Sequence, residues 1–123
     1  MALPILKSSV VLIVEDEFFI RSNAMALMND LGHVAFEAEG ADEAISILEQ
    51  HPEIALIVTD IQMTGSMDGL ALARYATGRW PPLRFIIVSG GGTPAAGDMP
   101  QGAIFLAKPY VNGALSNIIQ ELV

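Results

Sequence analysis

The stretch Val10-Val11-Leu12-Ile13-Val14-Glu15-Asp16 decides the fold, because five consecutive apolar residues run directly into two acids. A short β-branched run without polar alternation is typical of a strand covered on both faces, as in a parallel sheet flanked by helices. The stretch from Ile54 to Thr59 has the same character, and it too ends on an acid, Asp60. Two such strands predict a buried parallel sheet with carboxylates along one edge.

Strand-like and helix-like segments alternate on both sides of these two stretches. Further strands are predicted at 34–38, 84–89 and 103–107, and helices at 17–31, 42–50, 69–77 and 111–122. This alternation predicts an α/β domain, an open parallel sheet with right-handed crossovers and helices on both faces. We expect Phe18 to face the core, Asp42 to cap the second helix and Gly78 to end the third.

One helix of the alternating pattern is missing. The connection between the fourth and fifth strands, residues 90–102, contains five glycines and two prolines. These residues disfavour a regular helix, since glycine costs conformational entropy and proline removes a hydrogen bond. The helix at this position is therefore predicted to be short, absent or mobile.

Composition limits the organisation and the partners of the chain. Its 123 residues suit one domain, residues 1–123, with a core from about residue 9 to about residue 122. Six basic and fourteen acidic residues give a net charge of -8, which argues against direct nucleic-acid binding. No stretch approaches the roughly 20 apolar residues of a membrane span, and the first residues lack the features of a secretory signal. We therefore expect a cytoplasmic protein without a membrane partner.

The residues that could carry chemistry follow the predicted strands. In a parallel α/β sheet the ligand site lies at the carboxyl ends of the strands, where Glu15, Asp16, Asp60, Ser89 and Lys108 fall. Three close carboxylates repel one another, and oxygen ligands favour a hard cation such as Mg²⁺. Asp60 is then a candidate nucleophile for an acyl phosphate, with Lys108 and the cation neutralising the phosphoryl charge.

Five ordered motifs carry a family resemblance. They are Val14-Glu15-Asp16-Glu17, Asp60-Ile61-Gln62-Met63, Met67-Asp68-Gly69, Ser89 after an apolar strand, and Phe105-Leu106-Ala107-Lys108-Pro109. In this order and spacing, the sequence resembles the receiver domain of two-component response regulators, of the stand-alone single-domain type. The resemblance implies a flavodoxin-like, doubly wound sheet of five strands in the order 2-1-3-4-5. It also implies a signalling domain without turnover of an external substrate.

The resemblance implies specific roles in phosphorylation. Asp60 would accept a phosphoryl group from a phosphohistidine donor, which is a histidine kinase or a histidine phosphotransfer domain. Mg²⁺, with Mn²⁺ as the alternative ion, would be bound by Asp16, Asp60 and the Gln62 carbonyl, and Glu15 would act through a metal-bound water. Lys108 would pair with the phosphoryl group. The downstream protein partner is not identified by the sequence.

The resemblance also implies a switch and a backbone feature. Ser89 would be the hydroxyl that moves toward the phosphoryl group, and Phe105 the aromatic side chain that reports this movement. The bond between Lys108 and Pro109 would be cis. Asp68 is expected to be a loop residue or a helix cap.

The sequence departs from the receiver pattern in three places. Thr64 stands where a proline usually follows the methionine, and Gly65-Ser66 lengthens the next loop by one residue. The third departure is the glycine-rich connection at 90–102, which replaces a helix that many receivers use for output.

Two other functions stay open. The segment from Asp60 to Thr64 partly resembles the Asp-x-Asp-x-Thr motif of haloacid dehalogenase-like phosphatases, although Gln62 replaces the second aspartate and the segment follows the third strand instead of the first. A degenerate receiver that serves only as a protein-binding scaffold is the other alternative, and the intact acids, hydroxyl and lysine argue against it.

Overall fold

A five-stranded parallel sheet forms the centre of the protein. The computed structural model describes residues 9–122 apart from residues 64 and 66, so two of the departures noted above, at Thr64 and Ser66, lie outside the described residues. The strand order is β2-β1-β3-β4-β5, which confirms the predicted topology. The strands are β1 (Val10–Val14), β2 (Val34–Ala38), β3 (Leu56–Asp60), β4 (Arg84–Ser89) and β5 (Ile104–Ala107).

Four α-helices within the described residues cover the two faces of the sheet. They are α1 (Phe18–Asp30), α2 (Ala41–Gln50), α3 (Gly69–Arg79) and α4 (Asn112–Leu122). Alternate residues of β1 point to opposite cores: Leu12 and Val14 pack with α2 and α3, whereas Val11 and Ile13 pack with α1 and α4. Burial on both faces explains the unbroken apolar runs of the central strands.

The first turn of α1 differs from the prediction. Phe18 is 60% exposed, and the buried residues of the helix are Arg21, Ala24 and Met28. The physical reason is that a cation, Arg21, takes the interior position below Phe18. The Phe18 ring centroid lies 5.6 Å from the Arg21 guanidinium carbon instead of entering the apolar core.

Two predicted helix boundaries were also wrong. Gly40 is the N-cap of α2, so Asp42 lies inside the first turn, where its negative charge interacts favourably with the positive end of the helix dipole. Gly78 does not end α3, because the helix continues to Arg79 and the Trp80 N–H donates to the Ala76 carbonyl at 2.7 Å.

The glycine-rich connection, residues 90–102, replaces a helix as predicted. All of its backbone is described, and its one helical element is a 3-10 turn at Ala96–Asp98. Arg74 of α3 anchors this turn by donating to the Asp98 carbonyl at 3.3 Å. Most of the side chains described in the connection are exposed.

Trp80 lies at the end of the sheet where the strands begin, opposite the end from which the glycine-rich connection leaves β4. It follows α3, and its carbonyl accepts from the Leu83 N–H just before β4 starts. The Arg79 guanidinium covers the Trp80 ring, with its carbon 4.4 Å from the ring centroid.

Among the helices that the structure describes, none is long and apolar enough to cross a membrane.

Candidate functional site

The parallel pairing brings four strand ends to one edge of the sheet. Val14 is level with Thr59, Asp60 with Val88, and Ser89 with Ala107. The residues that end or follow these strands therefore meet, as the sequence predicted. We name the group formed by Glu15, Asp16, Asp60 and Lys108 the acidic pocket.

The three carboxylates of the acidic pocket are close enough to share a cation. One oxygen from each of Glu15, Asp16 and Asp60 lies within 4.8 Å of the others. Glu15 and Asp60 are buried, and Asp16 is exposed. Oxygen-only donors with one solvent-facing member suit a hard divalent cation that keeps several waters. The residues present therefore fit Mg²⁺.

Lys108 joins two of these acids directly. Its Nζ donates to Glu15 Oε1 at 2.6 Å and to Asp60 Oδ2 at 3.0 Å. Burial by itself would lower the pKa of Lys108, but the hydrogen bonds to the two carboxylates outweigh it and raise the pKa above its usual value. The ammonium group is therefore charged at neutral pH and provides a fixed positive charge beside Asp60.

Glu15 is the most tightly held acid of the pocket. Its N–H donates to the Ala38 carbonyl at 3.0 Å, and its Oε2 accepts from the Glu17 N–H at 3.1 Å. Burial raises the pKa of Glu15, and the nearby charge of Asp60 adds to the rise, while the hydrogen bonds from Lys108 and Glu17 oppose it. In this structure the Glu15 carboxylate contacts Lys108 directly, and its action through a metal-bound water stays a prediction.

Ser89 and Phe105, the two residues expected to act as a switch, lie at the end of β4 and within β5. Ser89 is buried, and its Oγ accepts from the Gly91 N–H at 3.0 Å. Phe105 is partly buried and packs against the core on the α2 and α3 face. The peptide bond between Lys108 and Pro109 is cis, as the resemblance implied. The movements of the two side chains stay predictions.

The start of α3 packs closely against Asp60. Gly69, the first residue of α3, lies so near that a Cβ atom on it would overlap the Asp60 carbonyl oxygen. Asp68 caps α3, because its Oδ1 accepts from the Ala71 N–H at 2.8 Å, which confirms the expectation of a cap. Gln62 is exposed, and its side-chain amide lies beside Gly91. The role of the Gln62 carbonyl stays a prediction.

Two residues near the pocket were missed from the sequence. Arg21 of α1 donates from Nη1 to the Glu15 carbonyl at 2.9 Å. Tyr110 lines a small cavity together with Glu15 and Asp60, and burial raises its pKa. A signal existed for Arg21, since it shares the helical spacing of the buried Ala24 and Met28. If such a cation is buried, its N–H groups need acceptors in the interior, because an unpaired buried charge is costly.

An apolar opening adjoins the acidic pocket on the α1 side. A cavity of about 430 Å³ lies between α1 and the start of α4, and its walls include Ile20, Lys108 and Tyr110. Three exposed apolar side chains lie at the starts of these helices: Phe18 and Phe19 in the first turn of α1, at 60% and 73% exposure, and Val111 directly before α4, at 72%. Apolar surface of this kind is typical of a contact site.

The comparison with known proteins agrees with this geometry. Residues 11–120 match the response regulator receiver domain family. The sensor kinase CckA of Brucella abortus (strain 2308) is 34% identical over 119 residues, which cover 94% of this chain but 12% of CckA. The response regulator receiver protein CpdR of the same organism is 30% identical, and the match covers 91% of this chain and 94% of CpdR.

A solved structure supports the same assignment. The crystal structure of a response regulator receiver protein from Sinorhizobium medicae WSM419 superposes with a TM-score of 0.83 at 25% identity, and the match covers 95% of both chains. The chain therefore belongs to the response regulator receiver domain family, a class of two-component signalling domains. This confirms the resemblance that the five sequence motifs carried.

Proposed function

We propose that Asp60 accepts a phosphoryl group from a phosphohistidine donor and that the chain acts as a phosphorylation-controlled switch. The observation that carries this proposal is the pairing of Asp60 Oδ2 with Lys108 Nζ at 3.0 Å, within a set of three close carboxylates. A nucleophilic carboxylate beside a fixed cation is suited to phosphoryl transfer, which depends on positioning and charge neutralisation. The family match favours this function over a haloacid dehalogenase-like phosphatase.

The transfer exchanges one bond to phosphorus for another. An Asp60 carboxylate oxygen bonds to phosphorus as the bond between phosphorus and the donor imidazole nitrogen breaks. The imidazole keeps the electron pair and takes up a proton from solvent. Lys108 holds its positive charge next to the reacting carboxylate and so stabilises the charge on the phosphoryl oxygens.

The acids around Asp60 support a cation site in this proposal. Asp16, Asp60 and the Gln62 carbonyl would hold Mg²⁺ or Mn²⁺, with Glu15 acting through a bound water. Such an ion, when bound, supplies further neutralisation of phosphoryl charge. The oxygen-only donor set of Glu15, Asp16 and Asp60 supports this assignment.

The hydrogen bond between Ser89 and Gly91 supports a proposed role of Ser89 in the phosphorylation switch. Its Oγ accepts from Gly91, so its O–H can turn toward a new acceptor on Asp60. If Ser89 moves toward a phosphoryl oxygen to donate to it, its Oγ would leave the Gly91 N–H. Gly91 belongs to the glycine-rich connection, so we infer that phosphorylation alters this connection. The receiver resemblance extends the same proposal to Phe105.

The proposed partners are a histidine kinase, a histidine phosphotransfer domain or both, together with a downstream protein. Exposed apolar side chains follow two segments of the acidic pocket along the chain, Phe18 and Phe19 after Asp16 and Val111 after Lys108, and they support docking of a protein donor there. The net charge of -8 supports the absence of direct nucleic-acid contact. We place this single domain in the cytoplasm without a membrane partner, and any loss of phosphate from Asp60 would be self-catalysed hydrolysis without turnover of an external substrate.

Acetyl phosphate labelling tests the proposal. The wild type with Mg²⁺ should gain about 80 Da, the mass of one phosphoryl group, in intact mass spectrometry. Asp60→Asn should gain nothing, and Asp30→Asn, which alters an exposed acid at the end of α1, should label like the wild type. Chelation of Mg²⁺ should reduce the labelling. An unlabelled wild type, or labelling that persists in Asp60→Asn, contradicts the proposal.

A further inference from the structure

Arg21 is a buried cation that the phosphorylation chemistry does not use. Its side chain is 7% exposed and lies at the start of α1, beneath the turn that follows β1. Burying a guanidinium group is costly unless its N–H groups find acceptors. Arg21 Nε donates to Glu37 Oε1 at 2.9 Å, Nη2 lies 3.6 Å from Glu39 Oε1, and Nη1 donates to the Glu15 carbonyl at 2.9 Å.

The contact between Arg21 and the Glu15 carbonyl is one of several hydrogen bonds that hold Glu15 in place. The Glu15 N–H, both of its carboxylate oxygens and its carbonyl oxygen all have partners. Arg21 supplies the partner of the carbonyl. This carbonyl shares one planar peptide unit with the nitrogen of Asp16. Arg21 therefore fixes the orientation of the Glu15–Asp16 peptide plane, and this orientation sets the direction of the backbone at Asp16.

The other contacts of Arg21 fix it to a neighbouring strand. Glu37 belongs to β2, where it is level with Ile13 of β1, and Glu39 directly follows β2. The planar guanidinium thus bridges the end of β2 and the turn after β1. A lysine could not reproduce this arrangement, because its ammonium is a point charge without a rigid fork of donors.

We propose that Arg21 is a positioning residue for the cation site of the acidic pocket, because its guanidinium holds the Glu15–Asp16 peptide in place relative to β2. This inference rests on the proposed function, since it concerns the same carboxylates. It differs from a purely structural ion pair, which would stabilise the fold without altering the affinity of the pocket for a cation.

The test compares Mg²⁺ affinity and the amide spectrum in matched variants. Arg21→Met keeps the length and apolar stem of the side chain but removes every donor. Its Mg²⁺ affinity, measured by titration in ¹⁵N–¹H spectra, should fall about 10-fold to 100-fold, as expected when a residue that orients a ligand is lost. Without metal, the amide signals of Asp16 and Glu17 should already be displaced. Arg21→Lys should recover part of the affinity.

The control separates positioning from stability. Ile54→Val removes one methylene group from the core just before β3, at the opposite end of the sheet. It should lower the melting temperature and leave Mg²⁺ affinity and the Asp16 amide signal unchanged. If Arg21→Met does not fold, Arg21→Lys replaces it. A Mg²⁺ affinity at least about 3-fold below that of the wild type then supports the inference, since lysine keeps the charge but loses the rigid fork of donors.

The outcomes also separate this inference from the proposed function. A folded Arg21 variant that binds Mg²⁺ as tightly as the wild type overturns the positioning role alone. A wild type that binds no Mg²⁺ overturns the cation site and the positioning role together. Acetyl phosphate labelling of wild-type Asp60 then shows whether phosphorylation itself survives without that site.

Discussion

The acidic pocket and the glycine-rich connection lie at the same edge of the sheet but are built in opposite ways. In the pocket, Glu15 and Asp60 are buried, and Lys108 joins them by two hydrogen bonds. In the connection, most side chains are exposed, and the structure shows a single 3-10 turn held to α3 by a 3.3 Å hydrogen bond from Arg74. Local stability follows burial and hydrogen bonding. The difference indicates that geometry is fixed where phosphoryl transfer is proposed and is less constrained where a readout is proposed.

The largest expected difference in stability comes from adding a methyl group at a glycine that packs against Asp60 and, separately, at a glycine in the connection. In Gly69→Ala the new Cβ would overlap the Asp60 carbonyl oxygen, so the backbone must move and the protein should lose about 4 kcal/mol or more of its free energy of unfolding. In Gly97→Ala the new Cβ meets no atom within 4 Å. That variant should stay within about 1 kcal/mol of the wild type. Urea denaturation followed by circular dichroism measures both, and equal losses would contradict the comparison.

Removing the central cation should weaken the pocket in a pH-dependent way. Lys108→Met leaves Glu15 buried without its ammonium partner, at a cost of about 3 kcal/mol at neutral pH. Burial already raises the pKa of Glu15 in the folded state above its ordinary value of 4.5, and loss of Lys108 raises it further. An acid whose pKa is raised on folding contributes stability at low pH, and this contribution is lost as the pH rises through the folded pKa.

The variant should therefore be closest to the wild type in stability at low pH and fall behind as the pH rises past 4.5, the ordinary pKa of Glu15, and through its raised pKa in the folded state. Urea denaturation at a series of pH values measures this difference. Arg79→Met is the matched control, because it removes a cation from an exposed ion pair with Glu49, and its effect should be small at every pH. A pH-independent loss in Lys108→Met would show that Glu15 is not the group that responds.

The smallest effect is expected from loosening the connection itself. Arg74→Ala removes the donor to the Asp98 carbonyl, an exposed hydrogen bond of about 0.5 kcal/mol. Amide hydrogen exchange should become faster in residues 95–102 and stay unchanged at Glu15 and Lys108. Faster exchange at the amides of Glu15 and Lys108 would mean that the stability of the acidic pocket is coupled to that of the connection, which contradicts the comparison.

The order of elements and the main members of the site could be predicted because they depend on local patterns. The apolar runs before Glu15 and Asp60 identify buried strands, and parallel pairing then brings their carboxyl ends together. The breakers in residues 90–102 likewise predicted the missing helix, since glycine and proline act on the backbone directly.

The remaining features depend on contacts between distant residues. The bond between Lys108 and Glu15 joins residues 93 positions apart, and no local pattern encodes its 2.6 Å length. The helical spacing of Arg21 indicates a buried position, but its partners lie on β2 and on the turn after β1 and leave no local pattern. Phe18 was misplaced for the same reason, since its exposure follows from the burial of Arg21.

Trp80 has a consequence for how this protein can be observed. It is the single tryptophan of the chain, and it lies where the strands begin, stacked under Arg79 and away from the acidic pocket. Its fluorescence emission should report global unfolding strongly and cation or phosphoryl binding weakly. An optical assay of the pocket therefore needs a second fluorophore, and the exposed position of Phe19, in the first turn of the helix that follows Glu15 and Asp16, offers a place for a tryptophan.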